Sequence, residues 1–151
     1  MITNEKLNQL YFNKKTYFIL IEKYKNYDDL ILQTSDETVI YFLRQQQKNV
    51  IQNIEEISQE IKSTEDLINL VVQPYKLILI LKYCENYSVG KIAKTLNYSP
   101  QRIYQLSKIA VSTFEEIDNS YISTAKNMKL WCNIMSKNDF YWHFFSKIVI
   151  Y

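Results

Sequence analysis

The sequence predicts an all-α protein, with an N-terminal long helical hairpin or coiled coil followed by a domain of shorter helices. Three observations carry this. A chain of 151 residues with one Gly and two Pro has little of the punctuation that sheets and tight turns need. Lys, Glu, Gln, Leu and Ile are plentiful, which favours long helices. The apolar residues recur at alternating spacings of three and four, the period of a helix face and not of a strand. The length admits one domain, or a small domain with a helical extension.

The first helix is predicted over residues 4–31, where Leu7, Leu10, Tyr17, Ile21, Tyr24 and Ile31 form an amphipathic seam and Lys14 and Asp28 fill its gaps. Gln33-Thr34-Ser35-Asp36-Glu37 follows, in which Thr34 and Glu37 have the reciprocal spacing of a capping box at a second helix start. The seam of that helix runs Ile40, Leu43, Gln47, Val50, Ile54, Ile57, Ile61, Thr64, Ile68, Val71, a heptad repeat typical of a coiled coil. Gln47 is its polar register-setter. Two arrangements stay open: an intramolecular antiparallel hairpin, or a homodimer through the second helix. Residues 1–73 would then be a spacer that holds the next module, or an arm for dimerisation or polymerase docking.

Gln73-Pro74 breaks the pattern, because the residue before Pro is driven from the α region while Pro suits a first helical position. A core helix is predicted from Pro74, with Leu77, Ile78, Leu81 and Cys84 on one face. Residues 74–118 form the second domain, in which 88–114 fit a helix-turn-helix. Ser88 caps a short helix, Val89 to Leu96; Ser99, followed by Pro100, caps another that runs to about Ile117. Ala93 is the small residue that a steep crossing requires, and Asn97 tolerates the positive φ of the turn. Ile92, Leu96, Ile103, Leu106 and Ala110 face inward, and Tyr98 is expected to fill the gap beneath the turn.

Charge is uneven along the chain. The net +2 resolves into 8 Lys/Arg against 11 Asp/Glu over residues 1–73, and 6 Lys/Arg against Glu85 alone over residues 74–114. A basic balance on the motif is the electrostatic footprint of a nucleic-acid contact. The second helix of such a motif enters the major groove with its N-terminal turns, so Gln101, Arg102, Tyr104, Gln105 and Lys108 should meet double-stranded DNA. Gln pairs bidentately with adenine and Arg with guanine, which makes Gln101, Arg102 and Gln105 the candidates for base readout. Lys91, Lys94, Ser99 and Lys108 suit phosphates. Gly90, the only glycine, should cost roughly 1 kcal/mol against Ala, and it leaves room for a phosphate to approach.

The stretch from Tyr87 to Ala110, with Arg102-Ile103-Tyr104-Gln105-Leu106 and then Ala110, resembles region 4 of bacterial sigma factors. Together with Leu79-Ile-Leu-Lys-Tyr83 and the acidic helical segment ahead, the chain looks most like phage-encoded regulators of the ArpU and RinA type from low-GC Gram-positive bacteria. The resemblance spans residues 74–116, is only architectural over 37–73, and ends by 118. It implies recognition of promoter DNA and contact with RNA polymerase, and it includes no core-polymerase-binding region 2. Tyr104 stands where sigma factors often have a further basic residue, so a different DNA sequence is expected.

Residues 119–151 change character, crowding Trp131, Phe140, Tyr141, Trp142, Phe144, Phe145 and Tyr151 into a basic tail. It is expected either to pack on the helical body or to touch nucleic acid or a partner protein. An enzyme is not expected, since His143 is the only His and no Gly-rich phosphate loop exists. Cys84 and Cys132, with His143 as the one further ligand, make a poor metal site, and no cofactor is implied. The N-terminus lacks a secretory pattern and no window is apolar enough to span a membrane, so the expected location is the cytoplasm.

Overall fold

The structure, a computed structural model, describes residues 4–136, with side chains described through Leu130. Every regular element among them is a helix: α1 (Glu5–Gln33), α2 (Glu37–Leu70), α3 (Tyr75–Leu79) continuing into a π-helical segment (Ile80–Cys84), α4 (Val89–Leu96) and α5 (Pro100–Ser136). One compact unit extends to Phe114 and a second begins at Glu115.

Helices α1, α2, α4 and α5 start where a short polar side chain can take up unpaired amides. Asn4 caps α1, its Oδ1 accepting from the Leu7 amide at 3.4 Å. The capping box expected from Thr34 and Glu37 does not form. Asp36 caps α2 instead, its Oδ1 accepting from the amides of Thr38 (2.9 Å) and Val39 (3.3 Å), while Thr34 Oγ1 accepts from the Asp36 amide. A carboxylate at the positive end of a helix is a stronger acceptor than a hydroxyl, so the start moves two residues along.

Helices α1 and α2 pack against each other as an antiparallel hairpin. Every expected seam position of α2, from Ile40 to Val71, is buried or half-buried, and so are the apolar seam positions of α1. The polar gap-fillers explain the register. Lys14 Nζ meets Glu65 Oε1 at 2.7 Å, and the buried Gln47 donates from Nε2 to Asp28 Oδ1. Asn13 adds a bond from Nδ2 to Glu60 Oε2 at 3.0 Å. Lys14, Asp28 and Gln47 are each answered from the other helix, while Thr64 Oγ1 bonds back to Glu60 O within α2 at 3.0 Å; a shift of register would strand the first three against apolar side chains. The seam of α2 is thus occupied by α1 of the same chain.

At the open end of the hairpin the chain turns into α3. Gln73 Oε1 accepts from the Leu77 amide at 3.2 Å, and Pro74 is the cap residue. The face expected there is corrected in one respect: Leu77 is 38% exposed, while Ile78 and Leu79 are fully buried. The run contacts α1, α2 and α4. Being covered from more than one side, it buries adjacent residues, which a single amphipathic stripe cannot do. The helix then widens, with the Glu85 amide bonding to Ile80 O five residues back at 3.0 Å. Asn86 leaves it in the left-handed region at φ 54°.

Helix α5 runs well past the end expected near Ile117. No Gly or Pro interrupts residues 118–136, and the Ser120 and Thr124 hydroxyls bond back to Glu116 O and Ser120 O, at 3.0 and 2.9 Å. Used in that way, these side chains lie along the helix and do not compete for its amides. The aromatic residues expected to define the tail from Phe140 onward, and His143, lie outside the described residues. Among the described residues no helix is long and apolar enough to cross a membrane.

Candidate nucleic-acid interface

Helices α4 and α5 meet through a small apolar cluster. Ile92, Ala93 and Ile103 are buried at its centre, and Leu81, Tyr87, Val89 and Leu96 pack around them. Ala93 is buried within this cluster, and its side chain is short enough to allow a close crossing. Farther along α5, Leu106, Ala110, Val111 and Phe114 are buried as well. The π-helical segment contributes Leu81, so the two helices rest on the core helix as well as on each other.

The connection is built as the sequence predicts. Ser88 Oγ accepts from the Lys91 amide at 3.3 Å, and Ser99 Oγ from the Arg102 amide at 3.2 Å. Asn97 ends α4 in the left-handed conformation, φ 57° and ψ 43°, and the next amide, that of Tyr98, bonds to Ala93 O at 2.9 Å. Asn can adopt this conformation because its short amide can hydrogen-bond locally. Tyr98 does not fill the gap beneath the turn; its side chain is 46% exposed. The partly buried side chains that pack on the cluster are Leu81, Tyr87, Val89 and Leu96.

All eight candidate contact residues are exposed: Lys91 and Lys94 on α4, Ser99 at the turn, and Gln101, Arg102, Tyr104, Gln105 and Lys108 on α5. The inward positions Ile103, Leu106 and Ala110 orient α5, so the alternate face carries the polar side chains outward. Arg102 Nη1 donates to Gln105 Oε1 at 3.3 Å, one turn apart. This bond uses one of five guanidinium donors and leaves the Gln105 amide nitrogen free to donate. Ser99 accepts a backbone amide yet keeps its own hydroxyl proton available. Lys91 lies 3.5 Å from the centre of the Tyr87 ring, a cation–π contact that holds the ammonium beside α4.

The basic balance of residues 74–114 is only partly presented to solvent. Lys76 and Lys82 are half-buried. Burial pushes the Lys82 ammonium below its usual range, and its Nζ sits 5.2 Å from the Tyr83 ring. The cations left at the surface are Lys91, Lys94, Arg102 and Lys108, all on α4 and α5.

No protein-family profile, curated protein or solved structure matches this chain. The site therefore stands on its own geometry. Two residues in it escape a motif-based reading. Asn86 is a second left-handed Asn, which its place directly after a helix could have signalled. Ser107 is buried, and its hydroxyl has no hydrogen-bond partner among the described residues. Its spacing of four from Ile103 and three from Ala110 puts it on the inward row, which sequence alone contains. Among the described residues no three His, Cys, Asp or Glu side chains gather into a group that could hold a metal ion.

Proposed function

We propose that this chain is a sequence-specific DNA-binding regulator of transcription, and not an enzyme, with α4 and the first turns of α5 acting as a helix-turn-helix of the sigma region 4 type. The observation that carries the reading is the turn itself. Two Ser caps, a left-handed Asn97 and a buried Ala93 present Gln101, Arg102, Tyr104, Gln105 and Lys108 together on the open face of α5. Gln101, Arg102 and Gln105 would read base edges in the major groove, while Lys91, Lys94, Lys108 and the Ser99 hydroxyl would hold phosphates. A phage or prophage origin and a role beside RNA polymerase in the cytoplasm belong to the same reading.

The test is binding to duplex DNA flanking the protein's own gene, compared with random duplex, over a range of salt. Three to four phosphate contacts predict a slope of log K against log salt of about −2.7 to −3.6. Arg102→Ala should reduce the preference for the cognate duplex, whereas Lys94→Ala should weaken both duplexes alike. Equal affinity for the two duplexes would overturn the reading.

A second reading, a module that binds polymerase or an anti-sigma-like partner with DNA contact secondary, is favoured by one feature. The closed end of the hairpin exposes Leu32 (84%), Tyr41 (67%) and Phe42 (59%), large apolar side chains near one tip. Retention of polymerase by the wild type and not by Leu32→Glu/Phe42→Glu would support it.

A further inference from the structure

The inward row of α5, apolar but for Ser107 and Thr124, outlasts the core that it serves. Ile103, Ser107, Ala110 and Phe114 are buried and succeed one another at spacings of four, three and four. Ile117, Tyr121, Thr124 and Met128 continue the row without a break, and the sequence carries it on through Trp131 and Met135. From residue 119 to 130 every position is exposed; Tyr121 is 59% and Met128 64% open. A row repeating every 3.5 residues is the pattern of helices that wind along one another, because a helix resting on a globular surface follows 3.6.

Charge on this segment indicates the occupant. Glu115 and Glu116 stand at its start, Lys126 and Lys129 toward its end. An antiparallel second copy that sets Ile117 against Met128 of the partner subunit, and Tyr121 against Thr124 of the partner subunit, also brings each acidic start to the other's basic end. A parallel copy would put like charges at the same level. The seam of α2 is already filled by α1.

We propose that residues 117–128 of α5 pair with the same residues of a second copy, antiparallel, to make a homodimer. This interface is separate from the candidate DNA-contacting residues, and its test needs no nucleic acid. Sedimentation equilibrium of the full chain at high micromolar concentration should give a mass twice the 18.2 kDa of one copy. Tyr121→Glu/Met128→Glu places charges in the row at positions exposed in the single chain. It should weaken the dimer by about tenfold or more while leaving far-UV circular dichroism unchanged up to the unfolding transition. At low salt, Lys126→Glu/Lys129→Glu should also weaken the dimer, and adding Glu115→Lys/Glu116→Lys should restore it. A monomeric wild type, a dimer indifferent to Tyr121→Glu/Met128→Glu, or one lost only on Leu32→Glu at the hairpin tip would overturn the proposal. Failure of the charge swap to restore the dimer would overturn the antiparallel arrangement.

Discussion

Replacing Asn97 tests the turn on which the candidate interface depends. The residue sits at φ 57° and ψ 43°, inside the left-handed region, and the chain closes behind it through the Tyr98 amide to Ala93 O at 2.9 Å. An L-residue with a Cβ and no local hydrogen-bonding side chain is disfavoured there by roughly 1–2 kcal/mol. Asn97→Ala should therefore destabilise by about 1 kcal/mol and Asn97→Val by about 2 kcal/mol, since β-branching adds crowding. Asn97→Gly removes the Cβ and should lie within about 0.5 kcal/mol of wild type, the gain in the turn being offset by the freer unfolded chain. Urea unfolding followed by circular dichroism would measure this. With a slope of about 1–2 kcal/mol per molar urea, Asn97→Ala should move the midpoint down by about 0.5–1 M. Asn86, at φ 54°, is an internal control in which the same order should hold. A flat series, or Val tolerated better than Gly at Asn97, would refute the left-handed turn and with it the presentation of α5.

Other expectations can be checked on the same instruments. Phe114 is fully buried, so Phe114→Ala should cost about 3–5 kcal/mol, read as a lowered urea midpoint. Ser107→Ala removes a buried hydroxyl that has no partner among the described residues and should stabilise by about 1 kcal/mol; a loss of stability would mean that the hydroxyl is bonded. A Cβ built on Gly90 meets nothing within 4 Å, and the residue lies in the first turn of α4. Gly90→Ala should then stabilise by about 0.5 kcal/mol, and a simultaneous fall in DNA affinity would show that the backbone there approaches a phosphate. The hydrogen bond to Glu65 holds the Lys14 ammonium above its usual 10.5, against the opposing effect of its partial burial. Because the folded value is raised, this contribution is complete below the unfolded value and is lost as pH rises through the folded one. Stability should fall more steeply above pH 10.5 in wild type than in Lys14→Met.

The site was legible in the sequence to the extent that it is local. Ser88, Asn97 and Ser99 do their work within four residues of themselves, by capping or by tolerating one backbone conformation, and the structure places all three as expected. Exposure of the candidate contact residues followed from helical periodicity once Ile103 and Leu106 were recognised as inward. Tyr98 was misjudged because its direction depends on how far Asn97 swings the chain, which no spacing records. Lys82 counted toward a basic footprint in the sequence, yet it lies half-buried beside Tyr83. A sum of charges carries no information about burial.

Sequence alone determined that the chain is helical, where most helices begin, and which stripe of α1, α2 and α4 faces inward, because these follow from backbone capping and a period of 3.6 or 3.5 residues. Tertiary structure decided the rest. Whether α2 pairs with α1 or with another chain turned on Lys14 finding Glu65 and Asp28 finding Gln47, contacts between residues 51 and 19 positions apart. Whether Leu77 or Leu79 is buried turned on how many neighbours surround α3. Such outcomes are set by the shape and polarity of surfaces that meet only when the chain has folded, and a one-dimensional pattern holds the stripe but not the surface that will cover it.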